Sequence, residues 1–456
     1  MSVAVMLFTS DLRLHDQPAL CAAVREADEV VPLFVLDRGV RRAGFDASNR
    51  RAFLADCLAA LDAGLHERGG RLVIRAGEVV EQVCRVVVES GARVVHIAGG
   101  ASAYALRRER RLREALKAIR CALHVHDGVV TALPPGQVTP VDRDHFAVFT
   151  PYLRRWEAAG LRDAVAAPRA VSVPELAGLP LPRRSSVAGT SPGLPRGGEP
   201  EARERLRRWL ADESGGIGAY HQRRDDLVGP ATSRLSAHFH FGTLSATEVV
   251  QRARGKGGPG ADAFVRQLAW RDFHHQVLAA RPGAAHADYR ARGDHWFRDE
   301  KEITAWKEGR TGSPIVDAAM RQLRYEGWLP NRTRMLVASY LTKTLYVDWR
   351  VGARHFLDLL VDGDIANNQL NWQWAAGTGT DSRPNRILDP LAQAKRFDPH
   401  GEYVRLWVPE LEGLAGPAVH QPWKLDGLER ARLDYPDPLV DQDERRARLE
   451  RGRSLH

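Results

Sequence analysis

The chain has 456 residues, 44% hydrophobic and 27% charged, a normal composition for a soluble globular protein and too long for one ordinary core. Its net charge of +9 suits a polyanionic partner, although arginine so outnumbers lysine that charge alone leaves nucleic-acid binding an even choice. No apolar run reaches membrane-span length, the first residues lack a signal pattern, and Cys21, Cys57, Cys84 and Cys121 form no CxxC pair. The sequence therefore predicts a cytoplasmic protein with reduced thiols and no metal site.

The first 130 residues alternate short β-branched runs with amphipathic ones. Val3–Phe8, Val30–Leu36, Arg71–Arg75, Val94–Ile97 and Leu123–Val125 read as strands. Arg50–Glu67, Glu78–Glu89 and Tyr104–Ile119 read as helices, with Phe53, Cys57, Leu61 and Leu65 at helical spacing. This alternation predicts an α/β, Rossmann-like domain over residues 1–130, a parallel sheet wrapped by helices. No GxGxxG follows the first strand and no P-loop appears, so a standard dinucleotide or NTPase site is not indicated.

Residues 131–200 read as a connector, proline-rich from about residue 168, with few large apolar side chains to build a core. From residue 201 to 430 helical periodicity dominates, and ten of the eleven tryptophans follow Pro200, so this part is predicted to be an all-α domain. Ser245-Ala-Thr-Glu248 has the form of a capping box, and Ile315, Ala319, Met320 and Leu323 make one apolar stripe. Residues 431–456 form a basic tail containing Arg445–Arg453, without a long extension.

Three helical faces carry the wrong residues for packing alone. Gln267, Trp270, Arg271 and His274 share one side at i, i+3, i+4, i+7 spacing, with Phe264 and Leu268 left to serve the core from the other. Asn331, Arg334, Met335 and Ala338 share a second face, after a helix start punctuated by Pro330. Asp364, Asn368 and Trp372 repeat along a third, with Asp362 just before and Trp374 just after. Each face alone reads more simply as a solvated stripe or a cap; together they call for a polar partner. In addition, the hydroxyl-rich turn ending at Ser236 has the makings of an anion cradle, though Thr-Ser pairs more often cap helices.

At these residues the sequence resembles the photolyase/cryptochrome family. The likeness rests on TSRLSAHFHFG, QLAWRDFHHQ, GRTGSPIVDAAMRQL, GWLPNRTRM, DGDIANNQLNWQWAAGTGTD and DPLAQAKRFD, in the family's order, with TSDLRLHDQPAL and FTPYLRRW before them. It is densest between Thr232 and Gln393. The resemblance implies FAD, active when reduced, in the helical domain. Tyr220 and the loop Thr232, Ser233, Arg234, Leu235, Ser236 would hold its phosphates and sugar, and Arg271 and Gly363 match further pocket positions. Arg334 and Asp364 correspond to an ion pair beside the isoalloxazine, with Asp362 nearby, and Asn368 to the amide facing flavin N5.

The implied activity is that of a carbon–carbon lyase. Light-driven electron transfer splits cyclobutane pyrimidine dimers flipped out of UV-damaged DNA. Trp270 and Trp374 match the residues that sandwich the lesion, and Gln267, Asn331 and Met335 line its pocket. Arg224, Arg332 and Gln393 match DNA-contacting positions. Trp372, Trp349 and Trp296 align with a tryptophan relay that re-reduces flavin; without the alignment, three helix-packing tryptophans is the plainer account. A monomer with no obligate protein partner is expected.

Two departures qualify this. Gln267 stands where cyclobutane-cutting enzymes usually carry glutamate and where (6-4) photolyases carry glutamine. The (6-4) reaction, however, resembles acid–base chemistry needing a histidine pair, and those positions are Asn331 and Met335, so cyclobutane repair is the preferred reading, with (6-4) repair and cryptochrome-type signalling as rivals. For a second, antenna chromophore, Phe34, Arg50 and Arg51 are placed to face a deazaflavin. Gly100 stands where deazaflavin binders often have aspartate, and Ala105 where folate binders have glutamate. An 8-hydroxy-deazaflavin is favoured over methenyltetrahydrofolate, with an empty pocket the third option.

Overall fold

The computed structural model of the chain describes every residue except 212–214, 382 and 454–456, so the last three positions of the basic tail lie outside the described residues. Five strands, β1 (Val3–Phe8), β2 (Glu29–Asp37), β3 (Val73–Gly77), β4 (Val94–Ala98) and β5 (Ala122–His126), form one sheet in the order β3-β2-β1-β4-β5. Every pairing is parallel. Strand alternation sorts its residues onto two faces: Ala4, Met6 and Phe8 enter one apolar cluster and Val5 and Leu7 another. Helices α1 (Pro18–Glu26) and α2 (Ser48–His66) cover the first face, α3 (Val79–Ser90) and α4 (Ala103–Ala118) the second. The fold class is thus the expected one, an α/β parallel-sheet part followed by helices.

The third strand starts later than its sequence suggests. Leu72 N donates to Asp62 Oδ1 at 2.8 Å and the Arg71 guanidinium to the Leu176 carbonyl at 2.7 Å, so the ladder begins only at Val73, paired with Leu33. The proline-rich segment lies along this same part of the molecule. Val171 N donates to Arg68 O, Leu179 N to Ile74 O, and Val171, Leu176 and Leu194 are buried.

After α5 (Phe149–Ala158) and α6 (Glu199–Ala211), the helices that matter for the site are α7 (Ser236–Phe241), α8 (Ala246–Lys256), α9 (Gly258–Ala280), α10 (Pro314–Glu326), α11 (Asn331–Ser339), α12 (Trp349–Leu359) and α13 (Ile365–Ala376). Half of the capping box forms at α8: Ser245 Oγ accepts from Glu248 N at 3.2 Å, while the Glu248 carboxylate pairs with Arg203 and Arg252.

The sheet is bonded directly to the helices. Arg13 Nη1 donates to the Gly242 carbonyl at 2.9 Å, and Glu199 accepts from Leu14 N at 2.7 Å. Arg50, expected to face an antenna pigment, is instead 5% exposed and donates to the carbonyls of Leu357 and Leu360 at the end of α12. Those carbonyls end a helix and have no intrahelical donor, which makes a buried guanidinium their natural partner. Phe34 packs in the apolar cluster beneath α2, and Arg51 lies 3.5 Å from Asp46 at the surface. A Cβ at Gly100 would fall 2.5 Å from that of Ala105, so no larger residue fits there as the loop stands.

Candidate functional site

A cleft with an empty volume of about 1330 Å³, open solvent included, runs between α9, α11, α13 and the loop ahead of α7. Tyr220 and five short stretches of sequence wall it, among them Phe356 and Leu360 from the end of α12. The loop brings Thr232, Ser233, Arg234, Leu235 and Ser236, with Tyr220 beside it. Arg234 adopts φ of 50°, a left-handed turn that few non-glycine residues take, and its guanidinium lies 4.3 Å over Trp328 and 3.2 Å from Glu326. Trp328 Nε1 in turn donates to Ser236 Oγ at 3.1 Å. Burial pushes the Tyr220 hydroxyl up to about 12, so it is a neutral hydrogen-bonding group.

From α9 the residues reaching the cleft are Phe264, Gln267, Leu268 and Arg271. This shifts the expected face round the helix. Trp270 instead stacks on Phe149 of α5 with centroids 3.7 Å apart and planes 8° from parallel. His274 is buried and bonded to Asn367 at 3.0 Å. Trp270 therefore has one ring face already covered, and it is not in the cleft wall. The Arg271 guanidinium is aimed by the Val130 carbonyl at 2.9 Å.

From α11 come Asn331, Arg334, Met335 and Ala338, the face the spacing predicted. Arg334 does not pair with Asp364 as expected. Its Nη2 donates to Asp362 Oδ2 at 2.7 Å, while Asp364 caps α13 by accepting from Asn367 N at 2.7 Å and lies 3.3 Å from His275 Nε2. Burial works to raise the Asp364 carboxyl, but His275, Arg271 and the Asn367 backbone outweigh it and hold it well below the usual carboxylate range. Asp362 Oδ1 is buried with no hydrogen-bond partner among the described residues. Gly363 does not reach the cleft wall; a Cβ there would meet Arg50 Nη1 at 2.7 Å.

From α13 the cleft receives Asn367, Asn368, Asn371 and Trp372. The Asn368 amide donates to the Ala353 carbonyl at 3.0 Å and to Gln369 Oε1 at 2.9 Å, which pins its orientation. Trp372 is 2% exposed, 5.0 Å from Phe356 and 6.0 Å from Trp306, and its ring packs on the bare backbone of Gly352. Trp349 starts the same helix as Gly352, fully buried, with Nε1 donating to Asp288 at 2.8 Å. Trp296 is partly buried, 5.0 Å from Tyr346. Trp306 was missed by the sequence reading, since it lies outside the motif blocks.

The remaining nucleic-acid candidates stand apart from the cleft wall. Trp374 is partly buried with Arg386 5.4 Å over its ring, and Arg224 is exposed. Arg332 is not free: it pairs with Asp225 at 3.0 Å and lies 4.4 Å over Phe397. Gln393 Oε1 has no partner among the described residues. Asn367, Asn371, His240 and Phe239 also line the cleft without having been singled out, although all four fall inside the quoted blocks, Asn367 and Asn371 inside the longest.

These residues fit an FAD. The hydroxyl-rich loop suits a pyrophosphate, the orphaned Asp362 oxygen and three asparagines suit a ring edge rich in donors and acceptors, and Phe264, Leu268, Phe356 and Trp372 supply the apolar remainder.

Comparison with known proteins agrees. Residues 264–453 match the family described as the FAD binding domain of DNA photolyase, and residues 4–172 match DNA photolyase. The chain is 66% identical over 457 residues to a deoxyribodipyrimidine photo-lyase of Streptomyces griseus, covering 100% of both. Among solved structures it is similar to a bacterial class III photolyase of Agrobacterium tumefaciens, with a TM-score of 0.91 at 30% identity over 99% of this chain and 97% of that one. It is also similar to an archaeal photolyase of Sulfolobus tokodaii with two FAD molecules, with a TM-score of 0.85 at 30% identity over 99% of each chain. Taken with the two lobes and the cleft between α9, α11 and α13, this places the chain in the DNA photolyase family.

Proposed function

We propose that this chain repairs UV-damaged DNA by splitting cyclobutane pyrimidine dimers in light. The observation that carries the reading is one cleft holding two kinds of wall: the loop 232–236, Arg334–Asp362 and Asn368 around a flavin position, and Gln267, Asn331 and Met335 beside it. Reduced FAD, when bound, supplies an electron donor that light activates. The chain's own residues orient the ring, exclude water from it and receive the flipped bases.

Gln267 donates an amide N–H to a pyrimidine carbonyl without needing a proton, and Met335 offers a soft apolar contact. Asn331 Nδ2 lies 3.6 Å from Met335 Sδ, and neither residue can do the proton transfer that (6-4) repair asks of a histidine pair. With FAD bound, Trp372, Trp349 and Trp296 would be the relay along which electrons reach it from the surface. Arg224 and, once released from Asp225, Arg332 meet phosphates, with Gln393 beside them.

The same reading divides the chain near residue 130 into an antenna part and, from about residue 201, a flavin part. It also makes the protein a cytoplasmic monomer; among the described residues no helix is long and apolar enough to cross a membrane. A second chromophore on the sheet part remains part of the proposal, as the Sulfolobus tokodaii photolyase is described with a novel light-harvesting cofactor. Its pocket is not built from Arg50.

The test is purified protein with a dimer-containing oligonucleotide under blue light. Dimers should disappear with illumination and persist in the dark. Persistence in both, or restoration of a (6-4) product instead, would overturn the reading.

A further inference from the structure

Away from the cleft, one group of side chains is gathered at the outer edge of the sheet and has no part in flavin or DNA chemistry. His96 on β4 and His124 on β5 are register neighbours, His126 follows two residues on, and Glu26 ends α1 above them. His96 Nε2 lies 3.1 Å from Glu26 Oε2, and His124 Nδ1 lies 3.3 Å from the same oxygen. The three donor atoms all fall within 4.8 Å of one another.

Two features distinguish this group from a chance cluster. First, the separations have a meaning: ligands about 2.0–2.1 Å from a tetrahedral zinc lie roughly 3.3 Å from each other. Second, His96 is fully buried and, among the described residues, its Nε2 finds no partner in hydrogen-bonding alignment, although a carboxylate stands in front of it. His96 Nδ1 is 3.0 Å from His126 Nε2. If that contact is His96 Nδ1–H donating to His126, the Nε2 lone pair faces the Glu26 oxygen, and two lone pairs across that gap repel. The opposite tautomer would need an Nε2–H aligned on the carboxylate, and the geometry forms no hydrogen bond there. A cation between the two atoms turns the repulsion into two bonds.

We propose that Glu26, His96 and His124 bind one divalent transition-metal ion of the zinc type, with His126 orienting His96 from behind. Two imidazoles and one carboxylate suit such an ion, and a buried histidine bonded through its second nitrogen is the usual outer-shell support. Glu26 and His124 are 44% and 48% exposed, so the ion has a route from solvent and a fourth position for water. Bound there, it clamps the end of α1 to the edge strand β5.

The test uses the full-length flavoprotein after chelator treatment, titrated with zinc by calorimetry, with the melting temperature followed in parallel. We expect one equivalent of zinc and a higher melting temperature in its presence. His124→Ala and Glu26→Gln should each abolish that equivalent and the thermal shift, and His126→Phe should weaken binding by about 10–100-fold. Flavin absorbance at the parental level certifies that the variants are folded. Less than one equivalent on the parent protein overturns the site, whatever the variants do. So does zinc binding by folded His124→Ala and Glu26→Gln equal to that of the parent.

Discussion

Arg334 Nη2 lies 2.7 Å from Asp362 Oδ2, and the side chain of that aspartate is 3% exposed. Removing one partner of such a pair strands the other charge, at a cost of about 3–5 kcal/mol. Arg334→Met should therefore lower both the melting temperature and the flavin-to-protein ratio. Adding Asp362→Asn to it should restore much of the stability without restoring flavin. Thermal melts and absorbance spectra of the two variants check this.

Trp372 is enclosed by Phe356, Trp306 and the backbone at Gly352, so phenylalanine keeps an apolar ring in its place at the cost of a small cavity. Trp372→Phe should reduce light-driven reduction of oxidised flavin to background. Repair by chemically reduced enzyme should stay at the parental level. Loss of both together would mark the residue as structural.

Gln267 offers its amide N–H at every pH, whereas a glutamate there donates only when protonated. Gln267→Glu should consequently make the repair yield fall as pH rises through the new carboxyl's pKa, where the parent profile is flat. The lost hydrogen bond is worth about 0.5–1.5 kcal/mol, a factor of roughly 2–10 in the yield-determining step. A flat profile for the variant would remove Gln267 from the lesion contacts.

Burial lowers His274 from 6.5 to about 4, and its Nδ1–H donates to Asn367 Oδ1. Its folded value lies below its unfolded one, so the stability it contributes is fully present above 6.5 and is lost as pH falls towards 4. Against His274→Gln, the parent should lose on the order of 2 kcal/mol more stability between about pH 7 and pH 5. Denaturant unfolding of both proteins at the two pH values measures the difference directly.

What could be read beforehand followed from locality. The five strands were legible because each is a short β-branched run, and the Ser245 cap because its partner is three residues away. The partner of Arg334 was not, because Asp362 and Asp364 are equally near in sequence. The choice is made by the helix start: Asp364 is committed to capping Ile365–Ala376, which leaves Asp362 to meet the guanidinium. Arg50 was misread for a related reason. Besides the nearby Phe45 carbonyl, its acceptors are 307 and 310 residues away, and a buried arginine looks the same in sequence whether it serves a pigment or a helix end. Trp270 satisfied the spacing of a ligand face, yet its stacking partner Phe149 comes from a separate helix that no periodicity could link to it.

The absence of a side chain at Gly352 lets the Trp372 indole rest against the very helix that Trp349 begins. In the proposed relay, where tunnelling rates decay exponentially with gap width, this one missing methyl group would set how closely Trp372 sits on the helix that carries Trp349. Alanine there, the mildest of replacements on paper, would drive its methyl group into the Trp372 ring and force that ring to move, which under the proposed relay should slow recharging of the flavin.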